Sequence, residues 1–131
     1  MERDDMRTPL ARAIGLGSAK DGIQHWWMQR ISAIALIPLT VWFIAAIIAQ
    51  TGADYTTFVA WLRSSITDIL MVLLLIALFH HAALGLQVVI EDYVHSGTRF
   101  AAVIVVRLIC FAFAVVGILA TLRIAASPQI I

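Results

Sequence analysis

Charge is scarce in this sequence: 13% of its 131 residues are Asp, Glu, Lys or Arg, against 62% hydrophobic, and the mean hydropathy is +0.95. That balance lies well outside the soluble norm and excludes a water-exposed globular domain as the natural reading. Cysteine is equally scarce. Cys110 stands alone inside an apolar run, which excludes an intrachain disulfide and suits a small packing residue. Paired zinc motifs, a phosphate loop, a nucleophile elbow and a dinucleotide fingerprint are all missing, so the chain is expected to be non-catalytic on its own. No nucleic-acid partner is expected. Neither an internal repeat nor a heptad pattern is present. The first twenty residues carry Glu2, Asp4 and Asp5 among basic residues and lack an apolar core before a cleavage site, so no secretory signal is expected.

What is present is a set of long uncharged runs. Ile69–Ile90 is 22 residues without a formally charged side chain, and about 20 apolar residues cross a hydrocarbon core. Ile31–Ala49 is a second such run of 19 residues, with Pro38 expected to kink it, and Phe100–Leu122 is a third of 23 residues, interrupted only by Arg107. In lipid the backbone must be satisfied within each segment, so these runs predict helices. The expectation is an all-α integral membrane protein with three transmembrane helices at about 26–50, 65–94 and 99–125. Residues 1–24 form a polar arm, and 25–131 form the membrane domain. Gln50–Arg63 reads as a connection, and Ser65 with Asp68 reads as a capping pair opening the second span.

Orientation follows from basic residues near the helix ends. Arg3, Arg7, Arg12, Lys20 and Arg30 precede the first span and Arg99 follows the second, whereas the other side has Arg63 and Arg123. The amino terminus is therefore expected to be cytoplasmic and the carboxyl terminus periplasmic (or in an intermembrane space). Trp26 and Trp27 suit the headgroup level, and His25 and His95 suit the solvated interface.

Two histidines lie inside the second span. An imidazole in lipid must find a partner, so His80 and His81 are candidates for a ligand, an ion or a proton path. Gly85 lies one turn beyond His81, where a missing side chain leaves room for a planar macrocycle such as haem. His80 is turned away by about 100°. With no second intramembrane histidine on the other spans, bis-histidine iron would need another chain. Tyr93 lies twelve residues past His81, about 18 Å along the axis. It is either an interfacial belt residue or a phenol that hydrogen-bonds a quinone, the latter in a polar pocket with Asp92 and Arg30. Arg30 is either a basic anchor or a partner for paired carboxylates. Arg107 is expected to snorkel or to pair within the bundle.

Two stretches carry a family resemblance: His25-Trp26-Trp27-Met28-Gln29-Arg30-Ile31-Ser32-Ala33, continuing to Pro38-Leu39, and His81-Ala82-Ala83-Leu84-Gly85-Leu86-Gln87-Val88-Val89-Ile90-Glu91-Asp92-Tyr93-Val94. Together they resemble the D-type hydrophobic membrane anchor subunit of succinate dehydrogenase, respiratory complex II. The resemblance implies half of a haem-binding anchor bundle, in which His81 is the axial ligand of haem b, Gly85 packs against the haem, and Arg30 lies near its propionates. It also implies that Tyr93 and Asp92 belong to the ubiquinone site. The implied partners are a C-type cytochrome b anchor supplying the opposite histidine, an iron-sulfur subunit, a flavoprotein subunit carrying FAD, and membrane lipid. The implied location is the bacterial cytoplasmic (inner) membrane, as a multi-pass subunit of succinate dehydrogenase (quinone). A fumarate reductase anchor is the near alternative. A small proton or metal channel subunit, using His80, His81, Asp92 and Arg107 as a path, is another, and a purely structural anchor is the third.

Overall fold

The computed structural model describes residues 8–10 and 18–128, and the described part is all-helical. From Ser18 onward, among the described residues, four helices follow in order: α1 (Ser18–Ala49), α2 (Tyr55–Leu62), α3 (Ser65–Tyr93) and α4 (Thr98–Ala126). Three of them, at Gly22–Ala49, Ser65–Tyr93 and Thr98–Ala126, are long and apolar enough to cross a membrane. Most of the polar arm, residues 1–7 and 11–17, lies outside the described residues.

The first helix begins at Ser18, inside the stretch expected to be the arm. Gly22 does not end it, because one glycine near a helix terminus costs only about 1 kcal/mol, which the apolar residues that follow outweigh. Pro38 lies within α1 and does not end it either. The chain then turns at Gly52, whose φ of +84° lies in the left-handed region that glycine enters without strain.

The expected plain connection contains a helix, α2. Asp54 caps it: its Oδ1 accepts from the Thr57 backbone N–H at 2.9 Å, and its Oδ2 accepts from the Thr56 hydroxyl at 2.9 Å. These bonds from Thr57 and Thr56 hold the Asp54 carboxyl below its usual range. At the other end Arg63 reaches the terminus of α4, donating from Nε to Ile124 O (3.3 Å) and from Nη2 to Ser127 Oγ (2.7 Å) and Pro128 O (2.8 Å). A cation placed on the last carbonyls of a helix also complements its dipole. The expected Ser65–Asp68 capping pair does not form. Ser64 is the N-cap without a side-chain bond, and one carboxylate oxygen of Asp68, Oδ1, is enclosed with no hydrogen-bond partner.

Helix α3 is the centre of the bundle, packing on α1 along one side and on α4 along the other; α1 and α4 make no close backbone approach among the described residues. The buried core is thin, consisting of Leu74, Leu84 and Cys110 with Ser32 and Thr67. Large side chains such as Ile34, Val41 and Phe111 are more than half exposed, as lipid-facing surfaces permit, since hydrocarbon exacts no penalty for apolar exposure. Helices α3 and α4 approach closely at Gly117, where an added Cβ would stand 3.1 Å from Leu75 Cδ1. Leucine at position 117 is therefore expected to wedge α3 from α4, at about 1–3 kcal/mol. The check is a lower detergent-denaturation midpoint of the purified chain; an unchanged midpoint would show the seam to be loosely packed.

Candidate functional site

The site is built where α1 crosses α3. On α1, His25, Gln29 and Ser32 follow a spacing of four and three residues, which puts them on one face of a helix. That face meets α3 in antiparallel register. Ser32 Oγ lies 3.0 Å from His81 Nδ1, and Gln29 Nε2 lies 3.7 Å from where a Cβ on Gly85 would stand. Ser32 is 7% exposed and also donates from Oγ to the Gln29 carbonyl at 2.9 Å. One nitrogen of His81 is thus held by α1 and the other is not used by α1. At Gly85, one turn on, that imagined Cβ would make an ordinary contact with Gln29, so the glycine lies directly against the α1 face.

His80 faces elsewhere. It lines a groove of about 630 Å³ between α3 and α4, together with Phe79, Leu84, Arg107, Cys110 and Phe111. Arg107 pairs within the bundle, donating from Nη2 to Gln87 Oε1, and Gln87 Nε2 donates to Glu91 Oε1 at 2.7 Å. A guanidinium inside a span is costly unless it finds such partners. His81 faces α1 whereas His80 and Arg107 line the α3/α4 groove, so the residues suggested for a channel path are split between two faces of α3. Among the described residues no group of three His, Cys, Asp or Glu side chains has metal-binding geometry.

Arg30 stacks over Trp26, its guanidinium carbon 4.6 Å from the ring centroid. The α1–α3 register sets the Arg30 backbone near the His81–Gly85 level, about 15 Å along the axis from the level of Tyr93, while its guanidinium reaches back one turn toward Trp26 and so toward the Tyr93 end. Among the described residues no hydrogen bond or ion pair joins Arg30 to Asp92 or Tyr93, the residues anticipated to share a polar pocket with it. Tyr93 is the last residue of α3 and is 82% exposed, with Asp92 exposed beside it. His25, expected at the solvated interface, is half-buried, and its Nε2 is enclosed without a hydrogen-bond partner.

Ser32 and Gln29 are the site residues that reasoning from sequence passed over. Their signal was present as three polar side chains, at 25, 29 and 32, recurring on one face of an otherwise apolar helix.

A three-span helical membrane subunit with a histidine anchored at one ring nitrogen between two of its spans is the class that this fold and site define. The family profile described as succinate dehydrogenase/fumarate reductase transmembrane subunit matches residues 4–120. The chain belongs to that family. Among curated relatives it is similar to a succinate dehydrogenase hydrophobic membrane anchor subunit of Rickettsia bellii, 38% identical over 90 residues covering 69% of this chain and 72% of the relative. It is similar to the protein of that name from Paracoccus denitrificans, at 35% over 97 residues covering 74% and 75%, and to that from Rickettsia conorii, at 32% over 108 residues covering 81% and 86%.

Proposed function

We propose that this chain is the D-type anchor of succinate:ubiquinone oxidoreductase. It holds the flavoprotein and iron-sulfur subunits at the bacterial inner membrane, completes a haem b site with a C-type anchor and contributes to ubiquinone reduction. The observation that carries the reading is His81, with one nitrogen engaged by Ser32 and the other available, in a chain whose relatives bear anchor names. An axial imidazole needs this arrangement, with one nitrogen for iron and the second held by a neighbour. The residues therefore fit the group. His81 would ligate the iron and Gly85, one turn on, would pack against the haem. Arg30, on the turn of α1 that carries Gln29 and Ser32, would meet the propionates with a planar cation suited to carboxylates. Haem supplies one-electron transfer when bound, and the protein supplies binding, orientation and electrostatics.

Tyr93 and Asp92 lie about 18 Å further along α3, at its end, where an exposed phenol is available to a quinone carbonyl once partner subunits cover it. The fumarate reductase alternative differs in quinone and reaction direction, and the relatives reported above carry succinate dehydrogenase names.

The test is purification of the tagged chain from its own membranes in mild detergent, followed by a dithionite-reduced minus oxidised spectrum and identification of the co-purifying subunits. A b-type signal with a flavoprotein, an iron-sulfur protein and a second anchor is the expected result. Intact partners without haem would leave the anchor role and remove the ligand role from His81; neither partners nor haem, in a sample shown to stay assembled, would overturn the reading.

A further inference from the structure

The hydrogen-bond arithmetic around Ser32 determines more than a contact. A hydroxyl carries one proton, and the carbonyl of Gln29, which can only accept, takes it at 2.9 Å. With the hydroxyl proton given to that carbonyl, the contact at 3.0 Å to His81 Nδ1 is a hydrogen bond only with the imidazole as donor. In that arrangement the proton of neutral His81 is on Nδ1 and the lone pair on Nε2. The Gln29 carbonyl polarises the hydroxyl that accepts from the ring, so the two bonds reinforce one another in a water-poor seam.

We infer that Ser32 is a positioning residue for His81: by accepting from Nδ1–H it fixes the ring's tautomer and angle and raises the donor strength of Nε2 toward a metal centre. This inference rests on the reading of His81 as a haem ligand. Its chemical consequence follows from the direction of the bond. An imidazole whose N–H is held by an acceptor is a more electron-rich ligand, which favours the oxidised iron and lowers its reduction potential. Removing the acceptor reverses this and leaves a buried N–H unpartnered.

The experiment compares wild type, Ser32→Ala, Ser32→Thr and His81→Ala in the assembled complex, recording haem retained against an excess of a haem-scavenging protein and the haem midpoint potential. Ser32→Ala is expected to weaken haem binding by about 10- to 100-fold and to move the potential upward. Threonine keeps a hydroxyl able to bond the same carbonyl and is expected to restore both values toward wild type. Wild-type affinity and potential in Ser32→Ala would overturn the inference, whereas an unchanged haem spectrum in assembled His81→Ala would overturn the underlying ligand reading instead. A measurement on the unmutated complex stands apart from the folding of any variant. In the reduced, diamagnetic state labelled with 15N-histidine, the His81 Nδ1 proton is expected to be present and protected from exchange; a freely exchanging Nδ1 proton would overturn the inference.

Discussion

His81→Ala is expected to abolish the b-type haem spectrum of the assembled complex while leaving the subunits together. Loss of an outer partner alone costs about 10- to 100-fold in metal affinity, and loss of the ligand itself removes the bond those partners support, so the effect exceeds that range. Assembly is expected to survive because alanine is a strong helix former and Ser32 retains its bond to the Gln29 carbonyl after the imidazole is gone. His80→Ala is the matched control. It removes an imidazole of the same span at almost the same depth, but one that lines the α3/α4 groove, so the haem spectrum is expected to persist. An unchanged spectrum in assembled His81→Ala, or its loss in His80→Ala alone, would exclude His81 as the ligand.

The three spans were legible because lipid imposes a simple condition: each must be apolar for about 20 residues, and the uncharged runs meet it without reference to any neighbour. The candidate ligand was legible for a related reason, since an imidazole in such a run is conspicuous. The start of α1 was less so. Gly22 looked like an interruption, and the helix nevertheless runs through it from Ser18; Gly15 and Gly17 lie outside the described residues. Helix α2 depends on a local cap, Asp54 with Thr56 and Thr57, whose signal in a short polar stretch is easily taken for a turn. What sequence reading could not reach is the register between helices. That Ser32 meets His81, and that the Arg30 backbone stands near the His81 level while Tyr93 lies about 15 Å away along the axis, follows from how α1 packs on α3. Serine in an apolar helix carries no mark of its partner.

That separation shapes the second large effect, from Tyr93→Phe. Phenylalanine keeps the ring and removes one oxygen at a position 82% exposed, so the packing of this chain loses nothing. A quinone carbonyl gains negative charge as it is reduced, and a donor aimed at developing charge is worth about 10²- to 10³-fold in rate. Succinate-driven quinone reduction is therefore expected to fall by about 10²-fold. Reduction of an artificial dye at the flavin is expected to continue at the wild-type rate, because it bypasses the quinone. The haem spectrum is expected to stay intact as well, since Tyr93 is twelve residues and about 18 Å along α3 from His81. Each readout isolates one element: equal loss of quinone and dye activities would mean failed assembly, and unchanged quinone reduction would remove the phenol from the quinone site. A fall in quinone reduction with the haem signal intact would show that one helix serves two separate sites, a ligand in its middle and a hydrogen-bond donor at its end.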